Sequence, residues 1–262
     1  MSGEQHGREI ATHIWRLWET GGAIDALPDT IRPNLIEQGY AAQAELPMLA
    51  RANVIGWKIA ATSTAGQTHL KVDGPIAGRL LDSRVQRSGS DVSLGHNRMR
   101  VAEAEFAFTL GSDLPPRSTP YEPADVLDAI ATLHPAIELP DSRFGSFEQV
   151  GAAQLAADNA CTHWFILGEA TSAAWRDLAL DRHPVKLFRN QRLATEGTGA
   201  DVLGSPISAL TWLANSHPER GVGLKSGEVI TTGVCGQPTT IEAGDDFVAD
   251  FGELGQASVR IT

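Results

Sequence analysis

Three glutamates have the types and spacing to do chemistry. Glu103 and Glu105 lie in Val101-Ala-Glu-Ala-Glu-Phe-Ala-Phe-Thr-Leu110, and Glu138 lies in Ala136-Ile-Glu-Leu-Pro140. Both segments alternate apolar and non-apolar residues, the pattern of a strand. Side chains on a strand point to alternate faces, so Phe106, Phe108 and Leu110 share one face and Glu103 and Glu105 the other. Two carboxylates so close repel unless a cation or protons neutralise them. With a third from a neighbouring strand they make an all-oxygen site. Such a site suits Mg²⁺ or Mn²⁺ and leaves room for waters or a chelating substrate. A bare Glu-x-Glu is more often the solvated face of a half-exposed strand, so its surroundings decide.

Lys58 is the second candidate. Its strand places Ile55, Trp57 and Ile59 on one face and Val54, Gly56, Lys58 and Ala60 on the other. Small neighbours leave space beside the amine, as a pocket would. Burial that lowered its pKa would fit it for proton transfer. A surface lysine with its stem laid on apolar neighbours fits the same pattern.

The elements that must position these residues follow from periodicity and punctuation. An amphipathic helix is expected over 7–20, with Ile10, Ile14, Leu17 and Trp18 on one stripe and Gly21-Gly22 ending it. A second helix is expected over about 34–50. Short apolar runs separated by Gly and Pro then predict strands at 53–60, 101–110, 134–139, 163–168, 184–190, 228–233, 246–251 and 256–261. Helices fit at 63–71 (capped by Ser63), 123–133, 148–160 and from Ser205, with Pro206 in its first turn. Periodicity alone gives an α+β fold. The division expected is a helical N-terminal segment over 1–52 packed on a body over 53–262.

Composition excludes several classes. The chain has 262 residues, 42% of them hydrophobic and 20% charged, with a net charge of −11. The acidic balance argues against nucleic acid or an anionic membrane as partner. No basic segment followed by an apolar run opens the chain, and no apolar stretch approaches the roughly 20 residues of a membrane span. Two cysteines, Cys161 and Cys235, make no disulfide framework, and a cytoplasmic location is expected. The eight histidines show no zinc-ligand spacing. Walker A, Gly-x-Gly-x-x-Gly and Gly-x-Ser-x-Gly motifs are absent.

Motifs spread along the chain carry a family resemblance. They include Gly56-Trp-Lys-Ile-Ala-Ala-Thr-Ser63, Gly74-Pro-Ile-Ala-Gly-Arg-Leu80, Glu103-Ala-Glu-Phe-Ala-Phe-Thr-Leu-Gly-Ser-Asp-Leu114, Ala136-Ile-Glu-Leu-Pro-Asp-Ser-Arg143, Ala157-Asp-Asn-Ala160 and Gly227-Glu-Val-Ile-Thr-Thr-Gly233. With these the chain resembles the fumarylacetoacetate hydrolase superfamily, within it the 2-keto-4-pentenoate hydratase and 4-oxalocrotonate decarboxylase group. The resemblance implies a mixed β-roll body and a homo-oligomer, dimer or higher. It implies Mg²⁺ or Mn²⁺ on Glu103, Glu105 and Glu138, with Lys58 in the active site. The implied substrate is a 2-oxo or 2-hydroxydienoic acid from aromatic-compound catabolism, hydrated to a 4-hydroxy-2-oxo acid. Decarboxylation of a 2-oxo diacid and hydrolysis of an acylpyruvate carbon–carbon bond, with His13, His69 or His96 activating water, are the alternatives. Arg143 either counters a substrate carboxylate or braces Asp141. The turn Thr231-Thr232-Gly233 is expected to offer Thr232 and Gly233 to a substrate carboxylate, with Gln67 and Asn159 as weaker candidates. Hydratases of the group carry aspartate where this chain has Ile76, in a Pro-Asp-Phe-Gly context. The resemblance therefore implies an apolar pocket wall at Ile76 and weak activity on the simplest dienoate.

Overall fold

The alternating segment 101–110 forms the strand its pattern predicts, and it lies inside the larger of two sheets in this computed structural model, which describes residues 3–262. The helices are α1 (Gly3–Thr20), α2 (Ile36–Gln43), α3 (Leu46–Ala50), α4 (Thr64–Leu70), α5 (Pro123–Ala129), α6 (Ala152–Ala157), α7 (Pro206–Asn215) and α8 (His217–Arg220). The strands are β1 (Val54–Ala60), β2 (Ile76–Leu81), β3 (Val85–Arg87), β4 (Ser90–Val92), β5 (Val101–Leu110), β6 (Ile130–Leu139) and β7 (Trp164–Leu167). They continue with β8 (Pro184–Arg189), β9 (Arg192–Thr198), β10 (Val229–Val234), β11 (Thr239–Thr240), β12 (Asp246–Asp250) and β13 (Gln256–Ile261).

The larger sheet runs β2-β1-β10-β5-β6-β7-β3, with β11 also paired to β5, and the smaller runs β4-β13-β12-β8-β9. Both are mixed: β1 lies parallel to β10 and β4 to β13, while β5 is antiparallel to β6 and β10. The apolar face of β5 turns toward the smaller sheet. Phe106 meets Phe251 edge-on, with ring centroids 4.9 Å apart. Phe106, Phe108 and Leu110 are all buried there. Glu103 and Glu105 therefore point away from this core, toward a cavity that α4 and the segment at Ala160-Cys161 help to line.

The N-terminal helices pack through Ile10, Ile14, Leu27, Ile31 and Leu46, together with Phe144 and Ala157 from the body. Polar bonds fix the packing. Gln43 donates from Nε2 to the Ala77 and Ala156 carbonyls, both at 2.9 Å. Trp18 Nε1 donates to Asp158 at 2.9 Å, and Asp158 also accepts from Ser142 Oγ at 2.6 Å and the Arg143 amide at 2.7 Å. Among the described residues no helix is long and apolar enough to cross a membrane.

The structure corrects several sequence expectations. The helix expected over 34–50 divides into α2 and α3, with Pro47 in the first turn of the second piece; proline's missing N–H suits a helix start and not an interior. The helix expected over 123–133 stops at Ala129, because Ile130 and Thr132 pair with β5 and extend β6 to ten residues. The helix expected over 148–160 shrinks to α6. Asn159, Ala160 and Cys161 follow in left-handed conformation, with φ of 56°, 50° and 62°. Strand β2 was not among the expected strands; all but one of its residues are buried, so it shows no alternation.

Candidate active site

Register brings the three glutamates together. Glu103 lies directly opposite Glu138 across β5 and β6, and Glu105 opposite Val234 of β10. One oxygen from each of the three falls within 4.8 Å of the others. Glu105 and Glu138 are 0% exposed, so the solvated-face alternative fails for them. Glu103 opens partly into a cavity of about 460 Å³.

The donor set fits a hard divalent cation. Twice the metal–oxygen distance of such ions, roughly 2.0–2.6 Å, spans the separation of the three oxygens. Glu105 Oε1 and Glu138 Oε1 are buried with no hydrogen-bond partner, an arrangement costly in the absence of a ligand. Without a cation, burial favours the protonated form of these carboxyls. Burial pushes Glu103 up to about 7, with Lys58 opposing and Glu105 adding to the rise. Burial likewise raises Glu105, and Glu138 well above the usual carboxylate range.

Lys58 reaches this cluster from β1. Its ammonium sits 3.1 Å from Glu138 Oε2 and donates to the Ala160 carbonyl at 3.1 Å. Burial opposes its charge, but Glu138 first, then Glu103, outweigh it and leave the pKa raised. It is therefore no snorkelling surface lysine, and the lowered pKa that would have fitted it for proton transfer is not found in the metal-free cluster. Of the two small neighbours, Ala60 acts as expected and Gly56 does not. Ala60 lines the cavity, whereas Gly56 lets the β10 backbone approach: a Cβ there would lie 1.8 Å from the Val229 carbonyl oxygen. Gly56→Ala is expected to lower stability by about 1–3 kcal/mol or more, because β1 and β10 must separate. Equilibrium urea unfolding measures this, and an unchanged midpoint would mean that the strands adjust freely.

The irregular second half of β10 supports Glu105. Thr231 Oγ1 and the Gly233 amide (3.1 Å) both donate to Glu105 Oε2. Thr232 bonds the Phe106 carbonyl at 3.2 Å and does not line the cavity; Gly233 does. Arg143 is buried, pairs with Asp141 and lies over the Trp18 ring, its carbon 4.3 Å from the centroid. Of the two roles left open by the sequence, this is the brace. Ile76 sits in register with Ala60, on the Lys58 face of the sheet, but it is 1% exposed in the core and does not line the cavity. The nearby Asp73 is exposed. Gln67 Nε2 bonds the Ala61 carbonyl, and Asn159 clamps both backbone groups of Arg79. His69 lines the cavity; His13 and His96 do not.

Sequence reasoning missed the Ala160 carbonyl. Its aim depends on three consecutive left-handed residues, none of them glycine, which leave no sequence mark. It also missed Met99, Leu70 and Phe147, which wall the cavity from three separate segments.

The chain is similar to several known proteins. Residues 68–262 match the fumarylacetoacetate (FAA) hydrolase C-terminal family. A 2-keto-4-pentenoate hydratase of Paraburkholderia xenovorans (strain LB400) is 30% identical, over 98% of this chain and 94% of the relative. A 2-hydroxyhexa-2,4-dienoate hydratase of Comamonas testosteroni is 32% identical, with 100% of both chains covered. Among solved structures, 4-oxalocrotonate decarboxylase from Pseudomonas putida G7, complexed with magnesium and adipate, superposes with a TM-score of 0.89 at 27% identity, covering 100% of this chain and 99% of that one. A family match across three-quarters of the sequence, relatives at this identity along its whole length and a buried three-carboxylate cluster lead to one conclusion: the chain belongs to the fumarylacetoacetate hydrolase family.

Proposed function

We propose that the protein is a hydratase that adds water to a 2-hydroxy-2,4-dienoate or its 2-oxo-enoate tautomer. It depends on Mg²⁺ or Mn²⁺ held by Glu103, Glu105 and Glu138, and it serves aromatic-compound catabolism. The observation that carries the reading is the buried carboxylate cluster with Lys58 on the wall of a cavity large enough for such an acid. When bound, the cation supplies a Lewis acid for the carboxylate and C2 oxygens of the substrate, favouring negative charge at C2. The same reading has a β-roll body carrying the N-terminal helical segment, a homo-oligomer, and a cytoplasmic setting.

The remaining work falls to the chain. A proton is delivered to C5 while the C2 hydroxyl loses its own, which moves the double bond into conjugation with the new ketone. Water then adds its oxygen to C4 and a proton reaches C3, giving the 4-hydroxy-2-oxo acid. Lys58 is the proton carrier in this account. Held as an ammonium by Glu138 and the Ala160 carbonyl, it has a third N–H left to face the cavity. Once the carboxylates are engaged elsewhere, their support of the ammonium weakens and its pKa falls toward a working value. The apolar walls limit stray water, and the donors from Thr231 and Gly233 keep Glu105 in place.

A second reading, decarboxylation of a vinylogous 2-oxo acid, is favoured by the decarboxylase superposition. Incubating the protein and Mg²⁺ with 2-hydroxypenta-2,4-dienoate and with 4-oxalocrotonate separates the two. Loss of the dienol with formation of 4-hydroxy-2-oxopentanoate supports hydration. Carbon dioxide release from 4-oxalocrotonate without hydration replaces it by the second reading, and pyruvate from an acylpyruvate by a hydrolase.

The raised carboxyl pKa values of the cluster give a pH prediction. Glu103 holds its proton from the usual 4.5 up to about 7 in the fold, so protons compete with a cation throughout that window. The rise in Tm caused by Mg²⁺ is expected to be small near pH 5.5 and to grow until about pH 8. A Mg²⁺-induced shift independent of pH would place the ion away from these carboxylates.

A further inference from the structure

The cavity beside Lys58 changes character along its length. On β5 the residues sharing one face run Glu105, Glu103, Val101, each about 7 Å from the next. On β6 Glu138 lies opposite Glu103. The next residue on that face is Pro140, just past the strand, and it lines the cavity. Two adjacent strands thus pass from carboxylate to apolar surface in the same direction. Beyond them, Leu70 of α4, Met99, Phe147 and Pro238 complete the wall. Leu70, Met99 and Phe147 are half-buried, and Pro238 is exposed.

Among the described residues lining the cavity, Lys58 is the only lysine or arginine, and Glu138 holds it at the carboxylate end. The polar side chains of His69 and Gln237 are exposed, and the His69 ring meets Phe147 nearly edge-on at 5.9 Å. The cavity volume of about 460 Å³ falls in the roughly 300–1,000 Å³ range of sites for drug-sized ligands, more room than a five-carbon acid fills.

We propose that this apolar end receives an uncharged alkyl or aryl substituent at the far end of the 2-oxo acid, so that the enzyme selects monocarboxylates over diacids. A second carboxylate placed there would lose hydration with no lysine or arginine to pair with it. It would also feel the repulsion of the cluster. A hydrocarbon group meets neither penalty and gains roughly fourfold in affinity for each methylene buried. The inference rests on the proposed reading for the head of the substrate, and it goes further by naming the chemistry of the tail and the residues that choose it.

The test is calorimetric titration of the Mg²⁺-loaded protein with 2-oxohexanoate and 2-oxoadipate, which share six carbons and differ in the terminal group. The structure predicts that 2-oxohexanoate binds about tenfold or more tightly than 2-oxoadipate. It predicts that 2-oxooctanoate binds more tightly still. Val101→Arg should narrow or reverse the preference by supplying the missing cation. Equal or tighter binding of 2-oxoadipate by the unaltered protein would overturn the inference while leaving the head-group reading in place. Binding of none of these acids, together with no turnover of any dienoate, would remove the head-group reading and this inference with it.

Discussion

Replacing Lys58 by alanine is expected to lower kcat by about 10²-fold or more, the usual scale of general acid–base catalysis. The expectation follows from an ammonium fixed by Glu138 and the Ala160 carbonyl, with one N–H left for the substrate. The same change should leave Mg²⁺ bound at least as tightly. It removes a positive charge from among three carboxylates, so a cation has less competition there. Steady-state kinetics and metal titration on one preparation separate the two effects. A loss of less than about threefold in kcat would make Lys58 a structural counter-charge. A matching collapse of metal binding would mean that the lysine organises the cluster instead of moving protons.

Replacing Glu105 by glutamine should have a comparable effect by another route. Glu105 Oε2 accepts from Thr231 and from the Gly233 amide, and Oε1 is buried without a partner. A glutamine oxygen can keep both bonds, so the fold should persist. Its amide nitrogen would replace the free oxygen, and an amide N–H₂ donates where a cation needs a lone pair. Affinity for Mg²⁺ should fall by more than the roughly 10–100-fold that changes behind a ligand produce. Turnover should fall with it, while the urea midpoint of the metal-free protein stays near that of the parent. Retained metal affinity would remove Glu105 from the site.

The strand-borne part of this site was legible in the sequence because its side chains obey a period of two. Alternation in 101–110 separates Phe106 and Phe108 from Glu103 and Glu105, and the fold keeps that separation, with β5 and β13 spanning the residues expected. Ser63 and Ser205 cap α4 and α7 as their positions suggest. The failures share a cause. Strand β2 is buried nearly throughout, so nothing alternates. Ile76, which the resemblance implied to be a pocket wall, packs in the core. Strand β6 begins four residues before its expected start because pairing with β5 overrides local helix signals after Pro123. The role of Arg143 was open because a guanidinium that stacks on Trp18 and pairs with Asp141 looks, in sequence, like one that awaits a substrate.

The end of β10 over Thr231, Thr232 and Gly233 is a related case. Donors were recognised there, but in the fold Thr231 and the Gly233 amide serve Glu105 and Thr232 serves the Phe106 carbonyl, acceptors one strand away and 126 to 128 residues distant that no local pattern announces. The left-handed run from Asn159 to Cys161 is another case. Each residue there stands in a conformation costly for a side chain with a Cβ, by roughly 1–2 kcal/mol. The run is held by the Asn159 clamp on Arg79, and it aims the Ala160 carbonyl at Lys58.

The proposed chemistry depends on an ion held by Glu103, Glu105 and Glu138. The most direct measurement is the rate of 2-hydroxypenta-2,4-dienoate hydration by EDTA-stripped protein before and after Mg²⁺ is restored. The account predicts negligible turnover in the stripped protein and recovery with Mg²⁺ or Mn²⁺. Full activity in the stripped protein would contradict it.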